Sequence, residues 1–162
     1  MKTTHALVGG LAGACAVTVI HQIVKKYDKQ APRMDLLGME SLTKILDKFN
    51  VEKPDEATLY KLTMAGDILS NTIYYAAAGI GAEKTLLKGA VLGSLAGIGA
   101  VALPEPMGLD PKHSNRTNET KILSVAYYLV GGLLSSAVMQ LLGGRKSKGI
   151  KGHIDHLKSN IL

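Results

Sequence analysis

Four apolar blocks of roughly twenty residues constrain this chain more than anything else in it: Ala6 to Val24, Thr63 to Ala82, Thr85 to Leu103 and Ile122 to Gly143. At a rise of about 1.5 Å per residue, a helix of that length covers roughly the 30 Å of a hydrocarbon core. The blocks therefore predict an all-α integral membrane fold with four transmembrane helices. Average composition hides the pattern, because a 46% hydrophobic content is ordinary and the charges collect between Lys25 and Leu62 and beyond Gly143. Most of the 18 glycines lie in or beside the blocks. In a water-soluble helix each would cost roughly 1 kcal/mol relative to Ala, whereas in lipid small residues let helix backbones approach. Trp is absent, so the aromatic belt of a membrane protein is thin.

The blocks resemble one another in pairs. Val8-Gly9-Gly10-Leu11-Ala12-Gly13 aligns without a gap on Leu92-Gly93-Ser94-Leu95-Ala96-Gly97, and Ile73-Tyr74-Tyr75-Ala76 on Ala126-Tyr127-Tyr128-Leu129. Segments recurring in the same order predict two repeated helical hairpins lying parallel, with sites between the halves. Gly89, Gly93 and Gly97 stand at four-residue spacing and form a helix-packing face, for use inside the monomer or in a homo-oligomer.

The connections are informative as well. Met39, Leu42, Ile45, Leu46 and Phe49 recur at three and four residues opposite Glu40, Lys44, Asp47 and Lys48, which predicts a short amphipathic helix over 36–50 in the first long loop, at the membrane interface. Pro54-Asp55-Glu56 reads as a helix start, and Pro104-Glu105-Pro106 ends the third block. Thr117 with Glu119 can cap the fourth helix. The domain organisation is then a membrane domain over 1–144 and a basic amphipathic tail over 145–162, suited to anionic lipid. The first block is too long for the apolar core of a cleavable signal peptide, and Cys15, the single cysteine, reads as a small buried residue. The net charge of +6 flanks apolar spans without base-stacking aromatics, which points to membrane lipids as partners and away from nucleic acid. Lys and Arg divide too evenly between the two sides to fix an orientation. A bacterial-type inner membrane is the expected location.

The polar residues near the spans are few. Asp67 and Asn71 sit inside the second block one helical turn apart, and an acid within a span must face protein or a wet cavity. Alternation of four spans puts His21, Arg33, Asp35, Asp67, Asn71, Glu105 and His113 on a common side, and the first six of these are the candidate ligand-binding residues. No phosphate-binding glycine loop, nucleophile elbow or paired-cysteine motif is present, and His153, Asp155 and His156 make a poor metal site, so neither metal nor cofactor is implied. Three functions fit. The first is a small polytopic membrane protein with a polar cleft at one membrane face that binds a lipid, a small solute or a partner helix. The second is a proton- or ion-coupled conduit titrating at Asp67. The third is a membrane-embedded enzyme acting on a lipid headgroup, with His21 as general base, Asp67 or Asp35 orienting it or holding a cation, and Arg33 on a phosphate.

Overall fold

The computed structural model of the chain describes residues 1–81 and 83–143; the basic tail expected over 145–162 lies outside them. The described residues are helical, with no strand among them. The helices are α1 (Thr3–Tyr27), α2 (Met34–Lys48), α3 (Glu56–Ala76), α4 (Thr85–Ala102), the short α5 (Lys112–Asn115) and α6 (Asn118–Gly143), with a 3₁₀ turn at Ala77–Gly79 after α3. Local chemistry sets several boundaries. Asp55 caps α3, its carboxylate accepting from the Thr58 amide at 3.1 Å. The Thr117 hydroxyl accepts from the Thr120 amide at 3.1 Å and starts α6, while Pro104 stops α4 one residue after its C-cap at Leu103.

Three helices, α1, α4 and α6, are long and apolar enough to cross a membrane. The expectation of four such helices is met only in part, because α3 carries Lys61, Asp67, Ser70 and Asn71 along its length and is not among the three. The four long helices form an up-and-down arrangement. Gln22 meets Tyr60, Thr18 meets Asp67, and Gly10 backs onto Thr72 and Ala76, so α1 and α3 run antiparallel. Gly89 opposite Gly132 and Gly97 opposite Val125 make α4 and α6 antiparallel, and Gly9 opposite Met139 with Gly13 opposite Gly131 does the same for α1 and α6. The extensive interfaces are α4 with α6, α6 with α1 and α1 with α3, whereas α3 and α4 barely touch. The bundle is therefore an incomplete ring with a gap between its two end helices.

Small residues line the inside and large ones the outside. Gly9, Gly13, Ala14, Gly89, Gly93, Gly97, Gly131, Gly132, Ser135 and Ser136 are all buried. Leu11, Val19, Leu69, Ile73, Leu87, Val91, Leu95, Ile98 and Ile122 are exposed. A β-carbon on Gly89, Gly93 or Gly97 would lie within 3.0 Å of α6, and at Gly93 and Gly97 the atoms met are backbone, which cannot swing aside. That face of α4 is thus taken up by α6 within the chain. Cys15, expected to be buried, is exposed on α1, because the residues that turn inward there are Gly13, Ala14 and Val17.

Gly93→Leu should force α4 off α6 and cost roughly 3 kcal/mol or more of stability. Gly66→Ala, where no atom stands within 4 Å of the new methyl, should leave the thermal midpoint in detergent unchanged or slightly raised. Circular dichroism of the two purified variants measures both.

Candidate functional site

The polar groups fall along one face of α1. Lys25, His21 and Thr18 are spaced by four and three residues, and each meets a partner from another helix. At the end of the bundle, Lys25 donates to Asp35 at 2.9 Å. Arg33 grips the same carboxylate with two nitrogens, Nε at 2.9 Å and Nη2 at 3.0 Å. The Arg33 amide also donates to the His113 carbonyl at 2.7 Å, and Lys25 lies 5.7 Å from the Tyr60 ring centre. This clamp fastens the start of α2 to α1, α3 and α5. Burial works against the charge on Asp35, but the hydrogen bonds from Arg33 and Lys25 outweigh it and hold its pKa down to about 2. The same contact with Asp35 raises the Arg33 guanidinium above its ordinary value. Each charge is answered by the other.

One turn deeper, His21 is buried, its ring 5.1 Å from that of Tyr127 and 5.7 Å from that of Tyr128, both edge-on. Its Nε2 has no hydrogen-bond partner. A further turn inward, the Thr18 hydroxyl lies 3.2 Å from Asp67 Oδ2 and the Asn71 amide donates to Oδ1 at 2.9 Å. Thr18 stands nine residues from the end of α1, so Asp67 lies about 13 Å inside that end. It is not at the rim, where its expected neighbours are. No Lys, Arg or His forms an ion pair with Asp67 among the described residues.

Asp67 faces the gap between α3 and α4, a cleft of about 770 Å³. Asp67, Ser70, Asn71 and Tyr74 line its α3 side, Leu95, Ala96, Gly99, Ala100 and Leu103 its α4 side, and Tyr128 of α6 lies between. Met34, Leu37 and Ser41 of α2 and Met107 and Leu109 of the loop after α4 stand at the α1-end mouth. The Tyr74 hydroxyl donates to the Leu92 carbonyl at 3.0 Å, joining α3 to α4 beyond the other end of the cleft, and Tyr75 donates to the Tyr128 carbonyl at 2.9 Å. A smaller recess of about 340 Å³ between α2 and α3 also reaches Asp67 and Ser70.

The six candidate residues are therefore divided. Asp67 and Asn71 line the cleft; Arg33 and Asp35 are engaged in the clamp. His21 is enclosed by tyrosines, and Glu105 is exposed in the turn after α4, outside the residues that line the cleft. Thr18, Lys25 and Tyr128 complete the arrangement without having stood out as site residues in the sequence. Among the described residues no three of His, Cys, Asp and Glu converge as a metal site would require. No protein-family model, curated protein or solved structure matches this chain.

The clamp makes stability depend on acid. A carboxylate whose folded pKa is about 2, against an ordinary 3.8, contributes stability that is complete above pH 4 and lost as the pH falls towards 2. Asp35→Asn should cost about 1–3 kcal/mol at neutral pH, reduced from a fully buried pair because the Arg33 side chain is partly exposed. It should also flatten the acid drop, as unfolding midpoints measured from pH 6 to pH 2 would show.

Proposed function

We propose that this chain is a small polytopic membrane protein that binds a lipid-like amphiphile in the cleft between α3 and α4, with α3 as the fourth span. The observation that carries this reading is the cleft itself. It has an aliphatic wall from α4, a polar wall from α3 and a volume within the roughly 300–1,000 Å³ of small-molecule sites, and it opens sideways between helices whose outer faces are aliphatic. Support for α3 as a span comes from its two sides. Leu69 and Ile73 face outward at 62% and 61% exposure, while Asp67 turns inward to Thr18 and the cleft. Glu56 and Lys61 stay near its first turns. Such a helix meets lipid only with its apolar side.

The two-hairpin reading has support on one side of each hairpin. The alignment of Ile73 with Ala126 places Thr72 and Ala76 opposite Val125 and Leu129, and these are the positions approached by Gly10 of α1 in one hairpin and by Gly97 and Gly93 of α4 in the other. The approaching glycines are not equivalent, because Gly10 aligns on Ser94, and Gly9 and Gly13, the counterparts of Gly93 and Gly97, pack on α6. The outward aliphatic surface supports a membrane as the site of residence, and a bacterial-type inner membrane remains the compartment proposed. On the mouth side, α2 packs against α3 and α5 with Asp35 as its one buried residue, consistent with an interfacial helix.

Binding is favoured over the two alternatives by the surroundings of each group. A conduit needs polar atoms across the whole bilayer, yet beyond Thr18 the same face of α1 continues as Ala14 and Gly10, both buried against protein. Headgroup catalysis by His21 needs access to substrate, and His21 does not line the cleft.

Native mass spectrometry of the purified protein tests the binding reading. A lipid-sized adduct should be present in the wild type, lost in Ala96→Phe and Ala100→Phe, which fill the cleft, and kept in Ile98→Phe on the outer face. An adduct indifferent to all three substitutions would remove the cleft as its site. In proteoliposomes under a pH gradient, proton leak should equal that of empty vesicles; faster leak abolished by Asp67→Asn would instead favour the conduit.

A further inference from the structure

The cleft contains one formal charge. Asp67 is the only acidic residue lining it, and no Lys, Arg or His does so among the described residues. The titratable groups around that carboxyl are Tyr74 and Tyr128, which share the cleft, and Tyr75 of the same helix, close enough to act on it electrostatically. Among the described residues no cation is placed to balance it.

Hydrogen inventory shows how the carboxyl is satisfied in an empty cleft. The Thr18 hydroxyl has a single proton and lies 3.1 Å from the Ala14 carbonyl as well as 3.2 Å from Asp67. With a proton on Asp67, that proton goes to Thr18 Oγ1 and the Thr18 proton to Ala14, so the neutral acid is bonded. With the proton gone, Thr18 turns to Asp67, and Asn71 holds the other oxygen in either state. The ionised form then needs a positive charge beside it, since a carboxylate out of water without a counter-charge is costly. The two tyrosines that line the cleft suit the same kind of visitor, because aromatic rings attract alkylammonium groups.

We propose that the ligand of the cleft is a cationic amphiphile, with an amine or quaternary ammonium head at Asp67 between Tyr74 and Tyr128 and an apolar body along the α4 wall of Leu95, Ala96 and Ala100. This inference rests on the cleft reading above and adds the sign of the charge. The cation pairs with the ionised carboxylate. Asn71 and Thr18 position the carboxylate and leave its remaining lone pairs for the head.

The experiment uses the full chain in nanodiscs of digalactosyldiacylglycerol, an uncharged lipid without an amine, and measures equilibrium binding of radiolabelled dodecyltrimethylammonium, with dodecanol and dodecanoate as competitors of equal chain length. The cation should bind at least tenfold more tightly than either competitor. Asp67→Asn should weaken it at least tenfold while dodecanol binding stays the same. Because the competitor series is run on the wild type, the outcome stands even where Asp67→Asn fails to fold. Phosphatidylethanolamine added to the discs identifies the source of the head: suppression of binding points to an aminolipid, and undiminished binding to a free amine. Equal binding of dodecanol and the cation, with both lost in Ala96→Phe, would overturn the charge inference and leave the cleft reading in place. Binding of none of the three would overturn both.

Discussion

Close approach of backbones at small residues is the contact on which this molecule depends. Gly93 and Gly97 of α4 sit against the backbone of α6, Gly13 of α1 against Gly131, and Gly10 against the α3 backbone. These contacts leave little room for bulky side chains between helices, so Leu, Ile and Val occupy the outside instead. In water such a distribution would expose a large apolar surface around an interior with few large apolar side chains, an arrangement with little hydrophobic driving force. In lipid the outside needs no burial, and association rests on dispersion between well-fitted surfaces and on hydrogen bonds inside the bundle. Tyr75 to Tyr128, Tyr74 to Leu92 and Thr18 to Asp67 are three such bonds between helices.

The same economy of space produces the cleft. α6 is gripped on two sides by α1 and α4, and α3 is attached through α1, so closing the ring would require α3 and α4 to pack along their lengths. They meet closely only near Tyr74 and Leu92. The face α3 turns towards the gap carries Asp67, Ser70 and Asn71, which gain nothing from contact with Leu95 or Ala100. A side chain that resists both lipid and an aliphatic neighbour keeps the gap open, and the proposed binding function rests on that openness. The Asp35 clamp, at the end of the bundle, has the opposite character. Its charges are mutually satisfied, and it serves to fix α2 across the mouth.

Much of this was legible in the sequence, and the reasons for the remainder are physical. Helix was readable from block length, and the apolarity of α1, α4 and α6 from composition, because both are properties of contiguous residues. The helix starts at Asp55 and Thr117 followed from local hydrogen-bonding chemistry. Asp67 and Asn71 drew attention by being polar within an apolar block, and the structure places both at the cleft. What could not be read was depth and partnership. Alternation of spans assigns residues to a side but not to a level, so it groups His21, Asp35 and Asp67 at one rim although they lie at three successive levels along α1. Thr18 and Lys25 were individually unremarkable. Only their spacing with His21 along one helical face could have signalled the polar stripe. Alternation also groups Glu105 with His21, yet the turn after Pro104 carries Glu105 outward while His21 is packed against Tyr127.

The central claim is that α3 stands in lipid with Leu69 and Ile73 outward and Asp67 inward. Spin labels placed singly along α3 from Leu62 to Ile73, in a Cys15→Ser background and in bilayers, measure this through their relative accessibility to oxygen and to a water-soluble nickel chelate. Labels at Leu69 and Ile73 should favour oxygen as strongly as a label at Ile98 of α4, and those at Ser70 and Asn71 should favour the chelate. Uniform chelate access along α3, Leu69 and Ile73 included, would place the helix in water and contradict the arrangement described.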